Sequence, residues 1–135
     1  MIVVDASVVL KWLMPHEAPV DTALAIRQDH IDGRQPCACP ELLLYEVANA
    51  LVTKSQVPIE EAMAGLALVL GDELIRYPLD EGDHGVAMRI ARAQHLSLYD
   101  AAYVALAKKL GCLLVTADRQ LYHRAQTLKW VSLLE

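Results

Sequence analysis

The chain has 135 residues, of which 55% are hydrophobic and 21% charged, and its formal net charge is −5. This composition is typical of one compact globular domain and excludes a disordered chain. No apolar run approaches the roughly 20 residues of a membrane-spanning helix, and no basic leader begins the chain, so we expect a cytoplasmic protein. The three cysteines are too few for a disulfide framework, and buried thiols are their expected state.

The negative charge is unevenly distributed along the chain. Residues 1–85 carry 5 Lys/Arg and 14 Asp/Glu, whereas residues 86–135 carry 7 and 3. A basic C-terminal part is compatible with a polyanion that binds beside an acidic metal site. A solvated helix face explains the same charges, and charge alone favours that second interpretation. The residues of such a face would be Arg89, Arg92, Lys108 and Lys109.

The first half of the chain alternates short apolar strands with helices. Strands are predicted at residues 2–4, 37–39 and 75–77. Helices are predicted at residues 8–13, 20–32, 40–54 and 58–71. Pro15 is expected to end the first helix, and Pro40 suits the first position of the third, where a missing amide hydrogen costs nothing.

The second half continues the alternation, with helices predicted at residues 81–95, 98–110 and 119–126 and strands at residues 112–115 and 130–133. Ser97 is a suitable N-cap for the second of these helices, and Gly111 is a suitable end for it. The pattern predicts an α/β fold, a three-layer sandwich with a short-stranded, mainly parallel central sheet. We expect residues 1–135 to form a single domain.

Four carboxylates are predicted to lie at one edge of this sheet. Asp5 and Asp118 follow predicted strands, and ligands collect beyond the carboxyl ends of parallel strands. Asp100 stands in the first turn of a very apolar helix, where an uncompensated charge beside the core is unfavourable. Glu46 falls within the apolar stripe of its helix, with Asn49 one turn later, and no basic residue lies three or four positions from Glu46.

Each acid also has a purely structural explanation. Asp5 could accept hydrogen bonds from loop amides, and Glu46 could pair with a distant arginine. Asp100 could complete a capping box, and Asp118 could cap the following helix. Together, however, four acids at one sheet edge indicate a cation site, because clustered carboxylates repel one another unless cations bind. Oxygen ligands without Cys or His favour Mg²⁺ or Mn²⁺, and the five histidines show no metal-binding spacing.

Four short motifs stand in order along the chain: Val-Val-Asp-Ala-Ser at the N-terminus, Glu-Val-Ala-Asn-Ala-Leu at 46–51, Leu-Tyr-Asp-Ala-Ala-Tyr at 98–103 and Val-Thr-Ala-Asp at 115–118. Together they resemble the motifs of PIN-domain ribonucleases, most closely the VapC-type toxins of toxin–antitoxin pairs, over essentially the whole chain. The resemblance implies a catalytic and metal-binding quartet of Asp5, Glu46, Asp100 and Asp118. It implies supporting polar residues at Ser7, Asn49 and Thr116.

The resemblance further implies an endoribonuclease that depends on Mg²⁺ or Mn²⁺, with RNA as the substrate, a cognate antitoxin as a partner and a homodimer as the usual assembly. Candidate phosphate contacts are Arg119, Lys108 and Arg124. Several apolar side chains could contact the antitoxin or a second copy, or could simply belong to the core. They are Val9, Trp12, Leu13, Ile59, Met63 and Leu66.

Three other kinds of function are compatible with an α/β chain that carries these acids. Another magnesium-dependent phosphoesterase is possible, although a haloacid-dehalogenase phosphatase would require Asp-x-Asp where this chain has Asp5-Ala6-Ser7. A receiver-type phosphoacceptor domain would require paired acids after the first strand and a lysine after a late strand, and neither is present. A non-catalytic protein-binding module of the same fold is the other alternative, because intact acids do not prove turnover.

Overall fold

The computed structural model describes residues 1–14, 19–54 and 56–135, so the predicted role of Pro15 lies outside the described residues. Within these ranges the strands are β1 (Ile2–Val4), β2 (Cys37–Pro40), β3 (Ile75–Tyr77), β4 (Leu113–Thr116) and β5 (Val131–Leu133). The helices are α1 (Ala6–Leu13), α2 (Val20–Ile31), α3 (Leu42–Thr53), α4 (Ile59–Gly71), α5 (Glu81–Gln94), α6 (Leu98–Leu110) and α7 (Arg119–Ala125).

The described strands form one sheet in the order β3-β2-β1-β4-β5, and every neighbouring pair is parallel. From β1, the next two strands of the chain, β2 and β3, are added on one side of the sheet, whereas β4 and β5 are added on the other. The strand order therefore reverses between β1 and β4. Because crossovers between parallel strands are right-handed, α1 to α4 cover one face and α5 to α7 cover the other. The predicted three-layer α/β sandwich is therefore confirmed.

Helix α6 is largely buried and packs against the central strands of the sheet. All seven residues from 101 to 107 are buried, and the helix contacts β1, β2 and β4. Its ends are those predicted: the Oγ of Ser97 accepts a hydrogen bond from the amide of Asp100 at 3.1 Å, and Gly111 ends the helix with a φ of +64°. A helix that is apolar on every side must be enclosed by other elements. Asp100, in its first turn, therefore starts beside the core.

The element ends lie within two residues of the prediction, and the structure gives a clear reason for two of the differences. Pro40 is the last residue of β2, paired with Tyr77, and α3 begins only at Leu42. The amide of Glu41 donates to the carbonyl of Tyr77 at 3.1 Å, so sheet pairing continues past the proline and delays the helix. Cys112 precedes β4, because its amide donates to the carbonyl of Ala107 at 3.1 Å and completes the end of α6.

The apolar residues singled out in the sequence fall into two groups. Val9 and Trp12 are buried in the core, and the indole Nε1 of Trp12 donates to the carbonyl of Ala23 at 2.8 Å. Leu13 and Leu66 are half-buried, whereas Ile59 and Met63 are 55% and 65% exposed on α4.

The structure also shows the state of the three cysteines and the length and polarity of the helices. Cys37, Cys39 and Cys112 are free thiols, the first two of them buried. Burial raises the pKa of Cys37 and of Cys39 to about 12. Among the described residues, the helices are all too short or too polar to cross a membrane.

Candidate active site

A cleft of about 210 Å³ lies at the carboxyl edge of the sheet, and all four predicted acids line it. Asp5 follows β1 directly, and Asp118 follows β4 after one residue. Glu46 reaches the cleft from the middle of α3, and Asp100 reaches it from the first turn of α6. The cleft therefore lies where the strand order reverses, which is the place where open α/β sheets bind ligands.

Asp5 is the most deeply buried of the four acids, with 4% of its surface exposed. Its Oδ1 accepts hydrogen bonds from the amides of Ser7 and Val8 at 3.0 and 3.3 Å and from the Ser7 hydroxyl. Its Oδ2 accepts a hydrogen bond from the hydroxyl of Thr116. Burial nevertheless raises the pKa of Asp5 to about 6, because desolvation outweighs these hydrogen bonds and the charge of Asp100 adds to it.

The hydroxyls of Ser7 and Thr116 join the loops that follow β1 and β4. The Ser7 Oγ accepts a hydrogen bond from the amide of Ala117 at 2.8 Å, and the Thr116 Oγ1 accepts one from the amide of Asp118 at 3.0 Å. Ser7 lines the cleft, whereas Thr116 is completely buried behind Asp5. Both predicted hydroxyl residues therefore fix the position of Asp5 relative to Asp118.

Asp118 is the N-cap of α7, which is the purely structural role that the sequence analysis considered for it. Its Oδ1 accepts hydrogen bonds from the amides of Gln120 and Leu121 at 2.8 and 3.1 Å. Asp5 caps α1 in the same way, and Asp100 lies in the first turn of α6. Three helix N-termini, each with a partial positive charge, therefore face the acids of the cleft.

Glu46 has a partner that the sequence analysis missed. The hydroxyl of Tyr103 donates a hydrogen bond to Glu46 Oε1 at 2.6 Å, and Tyr103 is only 1% exposed. Burial raises the pKa of Glu46, the bond from Tyr103 opposes that rise, and the charge of Asp100 adds to it. Tyr103 stands one helical turn after Asp100, so its position on the same side of the helix was a usable signal. Asn49 lines the cleft from an exposed position.

The basic residue that lines the cleft, within the described part of the chain, is Lys54. Its charge lowers the pKa of Glu46, which precedes it by about two helical turns on α3. The three candidate phosphate contacts do not line the cleft. The Lys108 ammonium lies 5.8 Å from the ring centre of Trp130. Arg124 donates to the carbonyl of His95 at 2.9 Å, although its charge also lowers the pKa of Asp100.

The cleft is unfavourable for negative charge as it stands. Burial is the largest cause of the raised pKa of Asp5, Glu46 and Asp100, and the neighbouring charge of Asp118 raises the pKa of Asp100 further. Carboxylate, amide and hydroxyl oxygens line the cleft without Cys or His, and such donors fit a hard cation such as Mg²⁺ or Mn²⁺. In the described residues, no three acidic, His or Cys side chains are grouped closely enough to enclose an ion. The oxygen donors of the cleft therefore fit such a cation by their chemistry, although their spacing in this structure does not form a coordination shell.

The family model of the PIN domain matches residues 2–126, and the chain belongs to the PIN-domain family. The match agrees with the resemblance carried by the four sequence motifs. The curated proteins that this chain matches carry VapC names.

Two of these relatives cover most of the chain. Exonuclease VapC9 of Pyrobaculum aerophilum is 36% identical over 118 residues, which are 80% of this chain and 85% of that protein. Ribonuclease VapC9 of Mycobacterium tuberculosis is 32% identical over 130 residues, which are 93% of this chain and 92% of that protein.

Solved structures show the same fold. The crystal structure of PAE2754 from Pyrobaculum aerophilum matches with a TM-score of 0.72 and 26% identity, over 98% of this chain and 83% of that chain. VapC20 of Mycobacterium tuberculosis, described as a sarcin–ricin loop cleaving toxin, matches with a TM-score of 0.68 and 19% identity, over 91% and 94%.

Proposed function

We propose that this protein is a metal-dependent endoribonuclease and the toxin of a toxin–antitoxin pair. The observation that carries the proposal is the cleft in which carboxylates from four separate elements meet at the reversal point of the sheet. Relatives that span most of the chain are named VapC ribonucleases, and this supports the same activity here. Phosphodiester hydrolysis requires an activated water and stabilisation of the charge that develops on the phosphate, and such a cleft suits both needs.

Asp5, Asp100 and Asp118 would hold the divalent cation, with Glu46 beside them. A cation bound there supplies a Lewis acid that lowers the pKa of water and neutralises charge on the phosphate. Ser7 and Thr116 keep the carboxylate of Asp5 in one orientation through their hydroxyls. A carboxylate fixed in this way loses little conformational entropy when it binds.

Glu46 is our candidate for the group that accepts the proton of the attacking water. Its pKa is raised by burial, which makes it a better base than an exposed carboxylate. The bond from Tyr103 occupies Oε1 and orients the side chain, so Oε2 is the atom proposed to take the proton. Lys54 lines the same cleft and is the proposed contact for a phosphate of the RNA.

The proposed partners are RNA, a cognate antitoxin and a second copy of the chain. VapBC2 from Rickettsia felis, bound to a DNA fragment from their promoter, shares the fold with a TM-score of 0.72 at 15% identity, which supports a protein partner for a chain of this shape. An antitoxin arginine placed among the acids would form charge-assisted hydrogen bonds and compete with the cation. The exposed Ile59 and Met63 on α4 suit a contact with a protein.

Cleavage of a mixed set of structured RNAs tests the proposal. Purified protein freed of any partner is assayed with Mg²⁺, with Mn²⁺ and with EDTA, beside Asp100→Asn and the matched control Asp21→Asn, an exposed acid of α2. We expect cutting that needs the metal, survives Asp21→Asn and is lost in Asp100→Asn, with circular dichroism confirming that each variant is folded.

Three other outcomes would each favour a different explanation. Cutting that Asp100→Asn leaves unchanged would indicate a contaminating nuclease and would remove the support for the site. No cutting of any RNA, together with no Mn²⁺ binding by calorimetry, would favour a non-catalytic binding module of the same fold. Cutting of a phosphomonoester or of DNA in place of RNA would favour another magnesium-dependent phosphoesterase.

A further inference from the structure

A second cavity, of about 330 Å³, opens at the same edge of the sheet, beyond the ends of β2 and β3. We call it the apolar pocket. Its apolar walls include Pro40, Leu42, Pro78, Leu79 and Leu98. None of the four acids of the cleft lines it. A concave site of this size with mainly apolar walls is of the kind that binds small planar groups.

The apolar pocket and the acidic cleft are joined by two helices. On α3, Leu42 lines the pocket and Glu46, one turn later, lines the cleft. On α6, Tyr99 lines the pocket and Tyr103, one turn later, lines the cleft. Side chains one turn apart have Cβ atoms separated by about 5–6 Å. A strand of RNA whose phosphate lies at the acids therefore has an adjacent base within reach of the pocket.

Tyr99 gives the pocket an aromatic surface that is 64% exposed. Nucleobases stack on exposed aromatic rings in proteins that bind single strands, and the contact tolerates any base because each has a π-face. Tyr99 is also the residue next to Asp100 in the chain, so the first turn of α6 lines the pocket with one side chain and the cleft with the next.

The polar groups of the pocket suit a base better than a phosphate. The Glu41 carboxylate lines the pocket and would repel a phosphate, while it can accept hydrogen bonds from base amino groups. His84 also lines the pocket, and its Nδ1 lies 2.8 Å from the carbonyl oxygen of Asp80. Because a carbonyl only accepts, Nδ1 is the donor in this contact, and Nε2 is the ring nitrogen left to bond a base.

We propose that the apolar pocket binds one unpaired nucleobase of the RNA next to the phosphate that is cut, with Tyr99 as its stacking surface. This inference rests on the proposed ribonuclease function and adds the single-stranded state of the substrate at that position. Sequence-specific recognition of RNA uses unpaired bases of this kind.

Binding of a labelled RNA in the Asp100→Asn background, which is expected to bind without cutting, tests the inference. The probe is a short fluorescein-labelled single-stranded RNA of mixed sequence. The control ligand is a labelled abasic ribose-phosphate strand of the same length. Anisotropy is measured for the background alone and with Tyr99→Ala, Tyr99→Phe or Tyr45→Ala added. Tyr45 is an aromatic residue of α3 that is 82% exposed and lines neither cavity, so it is a matched control.

We expect Tyr99→Ala to weaken binding of the RNA on the order of 10-fold, and Tyr99→Phe to keep most of the affinity because it keeps the ring. Tyr45→Ala should leave binding unchanged. The abasic strand should bind weakly to the background and be insensitive to Tyr99→Ala.

Equal binding of the RNA with and without Tyr99→Ala overturns the inference, as does an equal loss for RNA and abasic strand. A pocket that takes an apolar peptide segment would give the first of these results. If the wild-type protein still shows metal-dependent cleavage, only the base pocket is rejected. If the wild-type protein neither binds nor cuts any RNA, the proposed function and this inference are both rejected.

Discussion

The hydroxyl of Tyr103 on α6 lies 2.6 Å from Oε1 of Glu46 on α3, and this contact joins two layers of the fold inside the acidic cleft. It gives the half-buried carboxylate on α3 a hydrogen-bond donor from α6. Because a hydrogen bond from a neutral hydroxyl favours the ionised acid, Tyr103 opposes the rise in the pKa of Glu46 that burial causes. Tyr103 is thus a positioning residue for Glu46.

Tyr103→Phe is expected to lower kcat on the order of 10-fold with little change in KM, because it frees the side chain of Glu46 without altering the cleft walls. It should also shift the acidic limb of the pH profile of kcat to higher pH, since the pKa of Glu46 rises when its donor is lost. Thermal unfolding should show a loss of about 1 kcal/mol. Tyr45→Phe is the control, and an unaltered pH profile for Tyr103→Phe would contradict the positioning role.

Asp5 should make the metal-free protein less stable as the pH rises. Its pKa is about 6 in the folded protein against an ordinary value of 3.8, so the folded state favours the protonated form. The stabilisation from this group is complete below pH 4 and is lost as the pH rises through 6. The resulting decrease in the free energy of unfolding is at most about 3 kcal/mol.

Urea unfolding in EDTA at a series of pH values checks this expectation. The free energy of unfolding of Asp5→Asn should depend less steeply on pH between 4 and 7 than that of the wild type. The slope is the informative quantity, because Asn also changes the hydrogen bond with Thr116 and so shifts stability at every pH. Parallel curves for the two proteins would show that Asp5 titrates normally.

Divalent cations should stabilise the folded protein, because they relieve the repulsion among the acids of the cleft. At a concentration about 100 times Kd, binding contributes about 2.7 kcal/mol, which corresponds to a rise in Tm of roughly 5–10 °C. Differential scanning calorimetry with Mg²⁺ or Mn²⁺ measures the shift. Asp100→Asn should reduce it strongly, whereas Glu60→Gln, an exposed acid of α4, should not. Equal shifts in both variants would place the cation elsewhere.

Two glycine positions should respond oppositely to alanine. Gly111 ends α6 with a φ of +64°, and a Cβ there would meet nothing within 4 Å, so Gly111→Ala should cost about 1 kcal/mol through backbone strain alone. Gly71, the last residue of α4, has similar open space without a positive φ, so Gly71→Ala should be neutral or stabilising. Thermal unfolding of both variants measures the difference, and similar losses in the two would argue against the strain at Gly111.

The architecture was predictable because its signals are local. Each strand is a short apolar run, and α6 carries both its N-cap at Ser97 and its end at Gly111. Asp5 and Asp118 could be assigned to the same edge because parallel strands share their carboxyl ends. Pro40 was assigned wrongly because its preference for the first turn of a helix was outweighed by pairing between β2 and β3, a contact across the sheet.

The parts of the cleft that sequence reasoning missed depend on tertiary contacts. Tyr103 and Glu46 are 57 residues apart in the chain, so nothing near Glu46 indicated its donor. Lys54 lies outside the three- and four-residue spacings that predict a pair along one helix, so the sequence could name it only as one of several basic residues able to reach Glu46 through the fold. Conversely, Lys108 was suggested by charge alone, and it contacts the ring of Trp130 away from the cleft.

The arrangement of α1, α6 and α7 lets the fold itself position acids of the cleft. Each of the three helices presents its positive end to one aspartate of the cleft, and two of those aspartates also hold the first amides of their helices. Asp5 and Asp118 are therefore held in position by backbone amides without a bound cation. We therefore expect the chain to fold with this cleft already formed in the absence of divalent cations, so that a cation would meet oxygen atoms whose positions are largely set by the fold.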